Sequence, residues 1–220
     1  MTARNTFDHE LEMLHIDLIK MGSMAEDAIE NAITAFKNHD KKLAEQVGKN
    51  DDEIDNMEKQ IEAKCLSLIL RQQPVAGDLR KISTALKMIT DIERVSDHAV
   101  DIAKLSTNIS GERIFDMVKH IPKMAEISVK MVHESINAFV NSDLEIIEQV
   151  MKDENAIDEL FCKVKADIAE ILKYGKDTEN NSIDFLMIAK YLERIADHAV
   201  NICEWVAFSQ TGEHKNIKIL

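Results

Sequence analysis

Apolar residues recur at three- and four-residue intervals along nearly the whole chain, the spacing that lays one stripe along an α-helix. From Phe7 to about Asn38 the stripe is Leu11, Leu14, Leu18, Met21, Met24, Ala28, Ala32, Ala35 and Phe36. It predicts a long first helix, weakened at Gly22 by about 1 kcal/mol relative to alanine. Asn38, His39 and Asp40 carry turn chemistry, with Asp40 placed to cap the next helix. That second helix is expected from about Lys41 to Arg71, with Leu43, Val47, Ile54, Met57, Ile61 and Leu68 inward, ending before Pro74 and Gly77. A third, from about Asp78 to Ile109, stops at Ser110-Gly111. Three helices joined by short turns read as an up-down-up bundle.

The second half repeats this plan. DIERVSDHAVDIA, Asp91 to Ala103, returns as YLERIADHAVNIC, Tyr191 to Cys203, displaced by 100 positions. Ala35-Phe36 with Asp40 returns as Ala138-Phe139 with Asp143, displaced by 103. Pro122 lies near the start of the fourth helix, and Asp177 to Ser182, after Gly175, forms the turn before the sixth. The expected fold is therefore all-α: two tandem three-helix bundles, residues 1–110 and 111–220, related by internal duplication. The tail after Ser209 predicts no element.

Composition supports long helices: 6 glycines, 2 prolines and 30% charged residues leave little punctuation, and 45% hydrophobic residues suffice for a core. The net charge of -13 argues against nucleic acid, which needs clustered Lys and Arg, and against an anionic membrane surface. Membrane association would then run through a protein partner. The opening MTARNTFDHELEML lacks the apolar stretch of a signal peptide, and no apolar run approaches the roughly 20 residues that span a bilayer. A cytoplasmic protein is expected. Cys65, Cys162 and Cys203 lie in apolar helical runs without CxxC spacing and read as buried, reduced thiols. His15, His39, His120, His133 and His214 follow no pattern and read as surface residues.

Candidate chemistry rests on carboxylates four apart, which project side by side from a helix. Glu93 and Asp97 form one pair and Glu193 and Asp197 its repeat; Asp51 and Asp55 on the second helix correspond to Glu154 and Asp158 on the fifth. Ile82, Leu86, Ile89, Glu93, Ser96 and Val100 follow a helix seam, so Glu93 stands where packing wants an apolar side chain. Burying an unpaired carboxylate costs several kcal/mol. A cation shared by several carboxylates, a salt bridge to Arg94 and Arg194, or a wet seam edge would each relieve that cost, and spacing leaves all three open.

If the acids of antiparallel neighbours converge, the site is all-oxygen and suits Mg, Ca, Mn or Fe, with Zn through carboxylates. His98 lies roughly 140° around its helix from Glu93 and should point elsewhere. The Glu-x-x-His pair of di-iron bundles is absent from these motifs, which weakens a carboxylate-bridged di-metal enzyme. No nucleophile elbow, phosphate loop or dinucleotide fingerprint is present, so a non-enzyme is expected. A metal-free helical adaptor is the other alternative. Asp101 corresponds to Asn201, one turn beyond Asp97 or Asp197, and predicts a more anionic first site.

The opening F-x-x-E-L-x-x-L, Met21-Gly22, the paired acidic motifs, Pro74 with Asp78-Leu79-Arg80, and two copies of ERxxDHAxxI together resemble the PhoU family, from about Arg4 to Phe208. The resemblance implies two three-helix bundles, usually in a homodimer, acting as an accessory negative regulator of phosphate uptake. Such a protein links the ATPase subunit of the phosphate-specific ABC transporter to a sensor histidine kinase and represses phosphate-starvation genes when phosphate is plentiful. The family's E/D-x-x-x-D motifs bind metal clusters in some members; here they fall on Asp51, Asp55, Glu93, Asp97, Glu154, Asp158, Glu193 and Asp197. Asp101 departs from the more usual asparagine, which implies unequal occupancy of the two sites.

Overall fold

Among the described residues the apolar stripes fold as six helices: α1 (Ala3–Asn38), α2 (Lys41–Gln72), α3 (Ala76–Ser106), α4 (Ile121–Asn141), α5 (Leu144–Lys173) and α6 (Ser182–Thr211). The computed structural model describes residues 3–72, 74–109, 118–175, 181–214 and 217–218. Ser110-Gly111, and Asp177 to Asn180 of the expected turn before α6, lie outside them.

The two halves are punctuated alike. α1 ends where His39 turns left-handed at φ 52, and α4 where Ser142 does so at φ 54. For a non-glycine residue that conformation costs roughly 1–2 kcal/mol. It lets Asp40 N–H reach back to the Ala35 carbonyl at 3.0 Å, and Asp143 N–H to the Ala138 carbonyl at 3.2 Å, satisfying orphan carbonyls at each helix end. The same aspartates then cap the next helices: Asp40 Oδ1 accepts from Lys42 and Leu43 N–H, and Asp143 Oδ1 from Glu145 N–H.

α1, α2 and α3 pack on one another, as do α4, α5 and α6. The halves join along α3 and α6, with a second junction between α1 and α4. At the second junction Gly22 has a purpose beyond weakening its helix. An added Cβ there would stand 2.8 Å from Ile136 Cδ1, so the missing side chain admits α4.

α3 and α6 run antiparallel in a register stepping by heptads. Thr84 Oγ1 donates to the Trp205 carbonyl at 3.3 Å, Asp91 meets His198, and His98 stacks on Tyr191 with ring centroids 5.4 Å apart. The core of this junction is small and apolar, with Ile92, Val95, Ala99, Ile102, Ile195, Ala199 and Ile202 fully buried.

The tail, unassigned from sequence, forms a short antiparallel ribbon in which Glu213-His214 pair with Ile217-Lys218. Gly212 at φ 77 makes the turn out of α6, and the His214 ring stacks on Trp205 at 3.9 Å. Among the described residues no helix is long and apolar enough to cross a membrane.

Candidate functional site

The carboxylates of α2 and α3 meet on one face. A hydrogen bond from Ser96 Oγ to Asp51 Oδ1, at 2.6 Å, ties the two antiparallel helices in register. Around it Asp51, Asp55, Glu93 and Asp97 stand half-buried. Only 17% of the Glu93 side chain is exposed, so its charge sits at the edge of the core, as the seam position requires.

The acids feel that burial and one another. Burial pushes the Glu93 carboxyl above its ordinary value, and repulsion from Asp97, Glu58 and Asp55 adds to the shift, against a downward pull from Arg94. Asp51 is raised by burial and by Asp97 and Asp55, although the Ser96 hydroxyl works the other way. Glu58 is raised by burial, then by Glu62 and Asp55. On the outer side Arg94 reaches Asp97 at 2.8 Å and Glu93 at 3.4 Å.

Glu58 and Glu62 lie outside the paired motifs, yet Asp51, Asp55, Glu58 and Glu62 step by four, three and four, so one helical stripe carries them all. Residue order puts Ser96 on the seam with no polar role; its hydrogen bond to Asp51 exists only in the register that α2 and α3 adopt.

The second cluster is built differently. Glu154 and Asp197 are half-buried, but Asp158 is exposed. Glu193 is 15% exposed and accepts a hydrogen bond from Lys190 Nζ on its own helix. That ammonium lies 5.3 Å from the centre of the Phe161 ring, and Lys165 Nζ lies 4.8 Å from it. Beside the cluster Lys130 of α4 binds Asp153 at 2.8 Å.

As the side chains stand, no three His, Cys, Asp or Glu residues among those described converge to hold a metal ion. The donor chemistry separates the clusters nonetheless. The first concentrates oxygen donors on a partly desolvated surface where their charges repel, a setting a hard cation relieves. Asp51, Asp55, Glu58, Glu93 and Asp97 would hold it. The second already has an ammonium on Glu193, one of its half-buried carboxylates.

The structure changes several of the expectations drawn from sequence. His98 does turn away from the carboxylates, and its destination is the α3–α6 junction, where it lies 5.6 Å from His198 between ring centroids. Asp101 goes there as well: it raises the Tyr191 phenol as a charge and as a hydrogen-bond partner, after the effect of burial. It therefore does not add charge to the first acidic cluster. The junction is a diverged duplicate. Asp91 bonds His198 at 2.8 Å and Asn201 at 3.2 Å on one side, while Tyr191 faces His98 and Asp101 on the other. Burial, followed by His198, lowers the His98 pKa.

Cys162 is exposed, on the outer face of α5, whereas Cys65 and Cys203 are buried. His120, expected at the surface, is half-buried and meets Asp167 at 2.6 Å; His214 packs on Trp205. His15, also expected outside, lies tilted against Phe139 with ring centroids 4.6 Å apart, beside a cavity of about 440 Å³ whose lining includes Leu11, Lys81 and Val206. Lys81 is 12 residues, roughly 18 Å, from Glu93 along α3, so this cavity is separate from the acids.

The PhoU domain family matches residues 18–106 and 121–206, one copy per half. The chain is 40% identical over 216 residues to the phosphate-specific transport system accessory protein PhoU homolog of Clostridium acetobutylicum, covering 98% of this chain and 99% of that one. It is 33% identical to PhoU homolog 1 of Thermotoga maritima, over 96% and 91%. PhoU from Pseudomonas aeruginosa superposes with a TM-score of 0.87 at 29% identity, over 94% of this chain and 100% of that one. The phosphate transport system regulatory protein PhoU from Streptococcus pneumoniae gives 0.83 at 28%, over 94% and 98%. With both halves matched, relatives aligned nearly end to end and the same tandem helices in solved structures, the chain belongs to the PhoU family.

Proposed function

We propose that this chain is an accessory regulator of phosphate uptake: a non-catalytic helical scaffold, cytoplasmic and homodimeric, that docks on the ATPase subunit of a phosphate ABC transporter and on a sensor histidine kinase. The observation carrying the proposal is the near end-to-end similarity to accessory proteins of the phosphate-specific transport system. The acidic face of α2 and α3 is the device by which the scaffold is braced. Asp51, Asp55, Glu58, Glu93 and Asp97 repel one another there, and Ser96 holds Asp51 in place. A bound divalent or trivalent cation (Fe, Mn, Zn, Mg or Ca) would neutralise that charge and tie the two helices together.

The test is complementation in a host lacking its own PhoU protein, read with a phosphate-starvation reporter at high phosphate. Repression is expected from the intact chain and is expected to fail with Glu93→Gln. Co-purification with the ATPase subunit and the kinase should weaken in EDTA. A reporter that stays on with the intact chain would overturn the regulatory reading; repression and docking indifferent to both EDTA and Glu93→Gln would remove the cation from it. That last result would favour a metal-free adaptor, the reading supported by Arg94 already bridging Glu93 and Asp97.

A further inference from the structure

The duplication allows the two acidic clusters to be compared position by position. On α2 and α5, Asp51, Asp55, Glu58 and Glu62 correspond to Glu154, Asp158, Phe161 and Lys165. On α3 and α6, Thr90, Glu93, Ser96 and Asp97 correspond to Lys190, Glu193, Ala196 and Asp197. Two carboxylates of the first cluster are thus replaced by a ring and an ammonium, a threonine by a second ammonium, and the hydroxyl that orients Asp51 by a methyl group.

These replacements work together in space. Lys190 Nζ donates to Glu193, a half-buried carboxylate of the set, and the Phe161 face lies beneath that ammonium at cation–π distance. The ring occupies the position from which Glu58 presses on Glu93 in the first cluster. Lys165 lies against the same ring. From these observations we infer that the two clusters have divided their labour: the first takes a hard divalent cation, and the second carries a resident one, the Lys190 ammonium, which closes it to metal. The inference rests on the cation reading of the first cluster and extends it to selectivity between the halves.

The consequence is one class of metal site per chain instead of two, with Lys190 as the residue that decides. A lysine ammonium carries one positive charge and three N–H donors, so it offsets one carboxylate of the set where a divalent ion offsets two and takes about six or more oxygens. Removing it takes from Glu193 the ammonium it now accepts from, a group that the first half lacks at Thr90.

The experiment is a Mn²⁺ titration of the full chain after EDTA treatment and buffer exchange. Free Mn²⁺ is followed by its paramagnetic resonance signal, and folding is checked by circular dichroism. The expected pattern is one class of site, weakened at least tenfold by Glu93→Gln and changed less than twofold by Glu193→Gln. Lys190→Thr, which installs the residue found at Thr90, should open a second class that an added Glu193→Gln closes again. Lys190→Arg, which keeps the charge, should not open it. Equal losses from Glu93→Gln and Glu193→Gln, or no new site in Lys190→Thr, would overturn the division while leaving a metal-binding scaffold standing. No Mn²⁺ binding by the intact chain or by Lys190→Thr would overturn both.

Discussion

Replacing Glu93 by glutamine should stabilise the cation-free protein and destabilise it relative to the native chain once cation is supplied. Glu93 is 17% exposed and is repelled by Asp97, Glu58 and Asp55. Like charges at such spacing cost about 0.2–0.5 kcal/mol each. The variant also loses the 3.4 Å contact to Arg94, worth about 0.2–1 kcal/mol, although Arg94 keeps Asp97. At mid-range the net gain is about 0.5 kcal/mol, which for a chain of this size raises the melting temperature by about 1–2 °C. The pH dependence fixes the sign independently. A carboxyl raised above its ordinary value of 4.5 holds its proton more tightly in the folded chain, so stability falls as pH rises through the interval between 4.5 and the folded value. The advantage of the variant should therefore be complete above that interval, fade as pH falls through it, and be absent below 4.5, where both side chains are neutral. With Mn²⁺ at 100 times its dissociation constant the native chain gains about 2.7 kcal/mol, or roughly 5–10 °C, and the variant, bound at least tenfold more weakly, about half of that or less. Differential scanning calorimetry in EDTA and in Mn²⁺ should show the two proteins exchange rank. A variant melting below the native chain in EDTA at neutral pH would refute the reasoning, because Glu93 would then be a net favourable ion-pair member.

Three further outcomes test the frame around the site. Gly22→Ala should lose about 1–2 kcal/mol despite its better helix propensity, because the new methyl meets three side-chain atoms of stiff, β-branched Ile136 within 3.2 Å; adding Ile136→Ala should recover part of the loss, read by urea denaturation. Cys162 should react with a thiol reagent in the folded protein within minutes, while Cys65 and Cys203, buried and pushed up to about 12, should react only on unfolding; mass spectrometry of the labelled peptides distinguishes them. Asp91→Ala should cost about 1–3 kcal/mol by leaving His198 and Asn201 without their acceptor at the junction of the halves, seen as a lower melting temperature.

How much of the molecule is legible in residue order depends on the range of the interactions involved. Stripes such as Leu14, Leu18, Met21 and Ala25 are local and long, so the helices and the caps at Asp40 and Asp143 are readable directly. The meeting of Asp51 with Asp97, and of Asp55 with Glu93, is nearly local, since a short turn forces α2 and α3 to pair, and a glutamate on a seam breaks the apolar pattern visibly. The α3–α6 junction is not local. Its register depends on how two bundles dock, and without it Asp101 is assigned to the acidic face when its partner is Tyr191 on the other half. Cys162 misleads because Leu160 and Phe161 beside it are partly inward, while the next position turns about 100° to the outer face. The ribbon that seats His214 on Trp205 has only two residues per strand, too few to leave a periodic trace.

The antiparallel pairing of α3 with α6 has the form of a self-complementary contact between identical subunits, each half of the chain playing one subunit. In a true pair of identical subunits any substitution is felt on both sides of the axis at once, so a favourable change at one place is inseparable from its mirror image. Joining the halves in a single polypeptide removes that constraint. Asp91 where the repeat has Tyr191, and Thr90 where the repeat has Lys190, are differences between equivalent positions that a symmetric assembly could not have held.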